Sequence, residues 1–290
     1  MSTDLASGLA AALGAAVFYG AAPVAQSVAA RRSPAGAGLG LRLLLRLVRN
    51  PLWLAGVAGE LGGFVLEAYA FSAAPAALVA PAMACDTVVF VLLIGLVMHG
   101  RPSRLAVAGA ATIAAGTTLL AVAFASRSVL GKPASSDELW SFLAITVLVG
   151  AFAAVAGGRF VAERRAVAAT AAFCTAAGVG YGFSTVATRQ VGRTFTTAHP
   201  WHLVTTPTPY VLIACSVLGV SMLQRGLQAT AQLAYPLTSA LSAVLPVLVG
   251  TTLLDDQAPA GANRITFVAA LILLVAGLAL LGRDRSAAEE

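Results

Sequence analysis

Three acidic side chains stand out because each interrupts a stretch that is otherwise apolar. Glu60 and Glu67 lie seven residues apart in GELGGFVLEAYAF (59–71), and Asp86 follows in AMACDTVVF. Seven residues are two helical turns, so the two glutamates would share one helix face about 10 Å apart. A buried carboxyl can exchange a proton, and paired carboxylates with carbonyls and water suit a hard divalent cation. The expected chemistry is therefore proton exchange or cation binding, with Glu60 and Asp86 as the candidate metal ligands.

Uncharged polar side chains recur inside other apolar stretches. Tyr19 and Tyr181 each precede a glycine, and Gln224, Gln228 and Gln232 follow at intervals of four, on one stripe of a helix. A buried tyrosine needs a hydrogen-bond partner, and glutamine both donates and accepts. We interpret Tyr19, Tyr181, Gln224 and Gln228 as candidates for a cavity wall. Packing and hydrogen bonding between helices are the alternative for each of them.

The amino-acid composition indicates whether these side chains lie in a soluble or a membrane protein. The 290 residues are 59% hydrophobic and only 10% charged, with a mean hydropathy of +0.87, whereas soluble domains are about 25% charged. This composition is typical of an integral membrane protein with several spans. The carboxyls should therefore face the interior of a helix bundle or a wet cavity rather than lipid. Arginines at the ends of apolar runs explain the pI near 9.8, so nucleic acid is not an expected partner.

Nine apolar stretches are long enough to span a bilayer, which needs about 20 residues. We predict an all-α polytopic bundle with helices at 7–30, 51–72, 76–98, 104–125, 139–157, 166–188, 209–228, 232–254 and 264–282.

Charge at the helix ends predicts an orientation in the cell membrane. Thirteen of the 18 Lys and Arg residues lie in the loops after helices 1, 3, 5 and 7 or in the C-terminal segment. Since basic residues favour the cytoplasmic side, the C-terminus should be inside and the N-terminus outside. The stretch GLRLLLRLVRN (40–50) suits a short helix in the cytoplasmic interface. Its arginines, Arg42, Arg46 and Arg49, would lie on one face, and the apolar face would consist of Leu41, Leu44, Leu45 and Val48. A charged loop that only fixes topology is the alternative.

The two halves of the chain show a weak internal repeat. VFYGAAPVAQSVAARR (17–32) aligns with VGYGFSTVATRQVGR (179–193) through their Tyr-Gly pairs. Residues 7–125 and 166–282 would then form two units that are inverted in the membrane, with a linking helix at 139–157. Inverted repeats are typical of secondary transporters, whose sites lie at the repeat interface. Chance similarity between helices rich in small residues is the alternative.

The first half carries a motif that resembles the drug/metabolite transporter superfamily, more narrowly its NIPA-type magnesium transporters and their bacterial relatives. The run GELGGFVLEAYAFSAAPAALVAPAMACDTVVFVLLIG is similar to the second and third helices of that branch. The matching positions are Gly59-Glu60, Ala68-Tyr69-Ala70-Phe71, Pro75, Leu78-Val79 and Pro81. Glu67 and Asp86 are not part of the family pattern.

The second half, LQRGLQATAQLAYPLTSALSAVLPVLVGTTLLDD, resembles EamA-like members of the same superfamily. Those proteins carry a glutamate after the last glycine, and Asp255 or Asp256 stands near that place here. The resemblance implies the fold of two inverted repeats, a central cavity and, from the NIPA-type branch, magnesium as the transported ion.

The function expected from the sequence is a secondary transporter that moves a small solute through a central cavity, with Glu60, Asp86 and Glu67 handling a cation or the coupling proton. One alternative is a proton-coupled exporter of a small organic metabolite or drug, and another is a non-transporting membrane scaffold or partner subunit. Motifs such as GxSxG, HExxH and Walker A do not occur, so an enzyme is not expected. No cofactor is expected beyond transported Mg²⁺ or a proton. The expected partners are the lipid bilayer and the solute, and homodimer formation is left open.

Overall fold

The structure is a computed structural model. It describes residues 3–33, 41–73, 79, 82–99, 101–125, 132–197, 205–254 and 261–283. The regular elements in these ranges are ten helices and no strand: α1 (Thr3–Arg31), α2 (Leu41–Leu47), α3 (Pro51–Ala73), α4 (Asp86–His99), α5 (Arg104–Ala125), α6 (Ser136–Ala162), α7 (Ala166–Thr197), α8 (Thr208–Ala229), α9 (Ala231–Thr252) and α10 (Ala262–Gly282).

Seven of the described helices are long and apolar enough to cross a membrane, namely α1 and α5 to α10. The chain is therefore a multi-pass membrane protein with an all-helical fold, as its composition predicts. Helix α3 has a similar length, 23 residues, and packs along α1. It is not one of the seven, and it carries both Glu60 and Glu67.

The predicted third span, 76–98, is not one continuous helix, although residues 79, 82 and 83 are helical as well as α4. In the part that the structure describes, residues 84 and 85 form a turn and α4 begins only at Asp86. Acidic residues are favourable in the first turn of a helix, where amide N–H groups lack partners inside the helix. The pair Asp86-Thr87 just before an apolar run is a helix-start signal, which a count of apolar residues does not detect.

The arginine-rich stretch after α1 forms the short helix α2, as one of its two interpretations predicts. Its buried face differs from the expected one. Leu43 and Leu47 are buried against the end of α1 and the start of α3, whereas Leu45 is 70% exposed. Neighbouring helices select this face, and the spacing of the arginines does not reveal them.

The helices pack into two groups with similar contacts. Helix α1 lies against α3 and α4, and α7 lies against α8 and α9. Helices α5 and α10 pack against each other along their lengths. The main core fills the space between these groups with residues such as Phe90, Ile94, Phe173 and Met222.

The pair α5–α10 depends on glycines that let the two backbones approach. A Cβ added at Gly277 would lie 2.6 Å from Ile113 Cγ1 and 2.8 Å from the Gly109 carbonyl oxygen. Small residues at such contacts are the usual means of close helix packing in lipid. Gly277 therefore has a packing role.

We expect Gly277→Ala to lower the free energy of unfolding by about 1–3 kcal/mol, the usual cost of inserting a methyl group where atoms already touch. Gly158→Ala is the matched control, since a Cβ at Gly158 in α6 meets nothing within 4 Å. Both substitutions gain the same helix propensity. The measurement is the thermal unfolding midpoint of each variant in detergent. Equal midpoints for the two variants would contradict the packing role of Gly277.

Candidate functional site

One cavity of about 710 Å³ lies between the two groups of helices and takes residues from α1, α3, α4, α7, α8 and α9. Its size is within the range of about 300–1,000 Å³ that is typical of small-molecule sites. The lining residues are Tyr19, Val57, Glu60, Leu61, Phe64, Glu67, Asp86, Tyr181, Ser184, Thr185, Val220, Leu223, Tyr235, Thr238, Ser239 and Ser242.

The structure brings the three sequence-predicted carboxyls to this one cavity. Glu60 and Glu67 come from the same face of α3, and Asp86 comes from the first turn of α4. The two predicted tyrosines, Tyr19 and Tyr181, line the same space.

Each of two carboxyls is held by a tyrosine from another helix. The Tyr19 hydroxyl donates to Glu67 Oε2 at 2.6 Å, which joins α1 to α3. The Tyr235 hydroxyl in α9 donates to Asp86 Oδ2 at 2.8 Å, and the Thr87 hydroxyl donates to Oδ1 at 3.0 Å. Because charge-assisted hydrogen bonds are stronger than neutral ones, these contacts fix the carboxyls when they are ionised.

Glu60 is held from behind the cavity wall by two amides in series. Gln26 Nε2 in α1 donates to Glu60 Oε1 at 2.9 Å, and Gln224 Nε2 in α8 donates to Gln26 Oε1 at 2.9 Å. Both glutamines are buried, at 3% and 0% exposure. Since an ionised carboxylate only accepts hydrogen bonds, it requires this direction of the two amides. The Gln224 Oε1 atom is then buried with no hydrogen-bond partner among the described residues.

The two glutamines assigned to the cavity wall from the sequence lie elsewhere. Gln224 belongs to the amide series behind Glu60, and Gln228 donates from Nε2 to the backbone carbonyls of Ala30 and Ser33 at 2.7 and 3.1 Å. Helix C-termini leave carbonyls without partners inside the helix. Gln228 therefore ties α8 to the end of α1.

Among the residues that hold the carboxyls from other helices, Gln26 and Tyr235 were not singled out from the sequence. Gln26 contacts partners 34 and 198 positions away, and Tyr235 contacts Asp86 from 149 positions away. A polar residue inside an apolar run was the available signal for Gln26. Tyr235 lies three residues after Gln232, and a tyrosine in an apolar run does not by itself indicate which residue it contacts.

The wall is apolar where it does not carry carboxyls or hydroxyls. Leu61 and Phe64 contribute from α3, and Val220 and Leu223 contribute from α8. Lys, Arg and His are absent from the lining residues that the structure describes. Arg225, the nearest arginine along α8, is buried with its guanidinium 4.1 Å from the centre of the Phe173 ring. The cavity lining therefore combines acidic side chains with apolar ones.

The two residues proposed as metal ligands, Glu60 and Asp86, both line the cavity, as Glu67 does. In the described ranges there is no group of three or more His, Cys, Asp and Glu side chains that could hold a metal ion. Magnesium often uses one or two carboxylates and keeps several waters, so Mg²⁺ at this site would have to keep most of its water ligands. Asp255 and Asp256 lie outside the described residues.

Comparison of the chain with family models, with curated proteins and with solved structures finds no match in any of the three. The class of protein is therefore defined by its own fold and site. It is a multi-pass helical membrane protein with an acidic cavity inside the bundle.

Proposed function

We propose that this chain is a secondary transporter that moves a small cationic solute through the cavity. The observation that carries the proposal is that Glu60, Glu67 and Asp86 meet in one cavity of a membrane bundle, where the described lining has no basic side chain. Ionisable groups inside a membrane are costly and usually mark a solute or proton pathway.

Electrostatics favours a cation as the solute. Ionised carboxylates that share one cavity repel each other, and the repulsion is stronger where water is scarce. A bound cation or added protons relieve it. A solute of opposite charge therefore exchanges with protons at the same groups, which provides a route to coupling.

The architecture that we propose is two inverted repeats, α1, α3, α4 and α5 followed by α7, α8, α9 and α10, with α6 between them. Helix packing supports it, since the first helix of each group contacts the second and third of its own group. The last helices of the two groups contact each other.

The Tyr-Gly pairs support the same correspondence. Tyr19 and Tyr181 both line the cavity. The glycine after each one faces the third helix of its own group. A Cβ at Gly20 would lie 2.6 Å from Asp86 O in α4, and a Cβ at Gly182 would lie 2.6 Å from Leu245 Cδ2 in α9. Together with the sequence resemblance, these contacts support a place in the drug/metabolite transporter superfamily.

Two solutes are candidates. Magnesium is implied by the resemblance to NIPA-type transporters and would be held by Glu60 and Asp86 with water. A small organic solute exported in exchange for protons is the alternative, and the cavity volume of about 710 Å³ favours it.

Reconstitution into liposomes tests the proposal. Mg²⁺ uptake driven by a membrane potential and organic-cation movement driven by a pH gradient would be measured side by side, with empty liposomes as the control. Movement of either solute above the control supports secondary transport. If neither moves while a stoichiometric partner co-purifies with the protein, the scaffold or partner-subunit alternative is the better account.

A further inference from the structure

We infer that the cavity selects organic amines, meaning cations that carry N–H donors and no carboxylate of their own. The inference rests on the proposed function for its physiological meaning, but it is argued from the hydrogen-bonding groups of the wall alone. The observation behind it is an imbalance between acceptors and donors.

The hydroxyl donors of the wall are largely used inside the protein. Eight lining side chains carry a hydroxyl, and five of these hydroxyls donate to protein acceptors. Two are the tyrosines that donate to Glu67 and Asp86. The other three donate back to carbonyls of their own helices, namely Ser184 and Thr185 to Tyr181 O and Ser242 to Ser239 O.

The acceptors of the wall are not used to the same extent. An ionised carboxylate has about four lone-pair sites. Side-chain bonds take one at Glu60, one at Glu67 and two at Asp86, and the Thr87 backbone N–H takes one more at Asp86. Most of the free acceptor sites therefore belong to Glu60 and Glu67. A solute in the cavity therefore meets carboxylate acceptors and few donors. An amine supplies N–H donors together with a positive charge, and hydrogen bonds to charged groups are the strong ones.

The same imbalance disfavours solutes with a carboxylate. An amino acid or an organic acid would need donors or a positive side chain for its carboxylate, and the described wall has neither Lys, Arg nor His. A buried charge without a partner is costly. The apolar and aromatic surfaces of Leu61, Phe64 and the tyrosines suit the carbon part of an amine, and tyrosine faces can contact its charge.

The volume of the cavity favours an organic amine over a bare metal ion. A cavity of about 710 Å³ accommodates a solute of several carbon atoms, and such sites are mostly lined by apolar and aromatic side chains. Mg²⁺ would contact only the oxygen groups and leave the apolar part of the wall unused.

Equilibrium binding to the purified full chain in detergent tests the inference. The probes are butylamine, 2-phenylethylamine and tryptamine, with phenylalanine as 2-phenylethylamine plus a carboxylate. We expect saturable binding of at least one amine, binding of phenylalanine at least about tenfold weaker than that of 2-phenylethylamine, and a loss of about tenfold or more in Asp86→Asn, the range for hydrogen bonds to charged groups. Asp137→Asn makes the same change at an exposed position in α6 and should leave binding unchanged.

Three results would overturn the inference: no saturable binding of any of the three amines at millimolar concentration, phenylalanine binding as tightly as 2-phenylethylamine, or equal losses in the two variants. These failures are distinguishable from failure of the proposed function. Liposomes that move Mg²⁺ while the protein binds no amine would leave transport standing. Saturable amine binding without movement of any solute would support the cavity's selectivity and contradict transport.

Discussion

Replacing Glu60 by Gln is expected to lower solute transport at least about tenfold with little effect on folding. The new side chain has the same shape, and its amide oxygen can still accept from Gln26 Nε2, as Glu60 Oε1 does at 2.9 Å. The substitution therefore removes the charge and keeps the contact. Losing a charged partner for a cation costs about 1.5–3 kcal/mol, which is a factor of about 10 to 100.

The pH dependence of the Glu60→Gln variant distinguishes the two modes of transport. Cation uptake driven by the membrane potential predicts that transport is lost at every pH. Proton-coupled export predicts that the response to a pH gradient is lost. The control is Glu163→Gln, which removes an exposed carboxyl at the end of α6. Wild-type transport by Glu60→Gln in liposomes would rule out a central role for this residue.

The second large effect is expected at Gln26, behind the cavity wall. Gln26→Leu removes the acceptor for Gln224 Nε2, while Gln224 Oε1 already lacks a partner among the described residues. Gln224 would then be fully buried with neither end of its amide paired. An unsatisfied buried polar group costs about 1–3 kcal/mol, so the free energy of unfolding should fall by about this amount.

A second substitution should reverse that loss. In the double variant Gln26→Leu with Gln224→Leu, both buried polar ends are gone, and removing both partners of a hydrogen bond is often nearly neutral. Glu60 lies on the cavity wall, where water can replace the lost amide. We expect the double variant to melt at a higher temperature than Gln26→Leu alone. If the double variant instead melts at a lower temperature than Gln26→Leu, the unpaired Gln224 amide is not the cause of the loss in stability.

Much of the fold could be predicted because lipid imposes a simple rule on length and polarity. The predicted span 104–125 coincides with α5, and 264–282 differs from α10 by two residues at its start. In both cases a long apolar run ends at charged or turn-forming residues. The same rule failed at Asp86, because a turn between two apolar segments leaves the average hydropathy high.

The candidate site could be predicted only in part, for a different physical reason. A carboxyl in an apolar run is visible from the sequence because of its transfer cost, which is how Glu60, Glu67 and Asp86 were found. The partners of these carboxyls depend on which helices pack together. Gln26 and Gln224 are 198 positions apart, and no local pattern connects them.

The late start of α4 makes the three carboxyls mechanically unequal. Glu60 and Glu67 lie inside the 23-residue helix α3. Backbone hydrogen bonds of the helix precede and follow each of them, so moving either residue requires moving or breaking the helix. Asp86 lies in the first turn of α4, where the leading amide groups have no partner inside the helix. Displacing Asp86 therefore breaks fewer backbone hydrogen bonds. Two charges of the cavity are placed mainly by the helix that carries them, and the third is placed mainly by the side chains of Tyr235 and Thr87 that hold it.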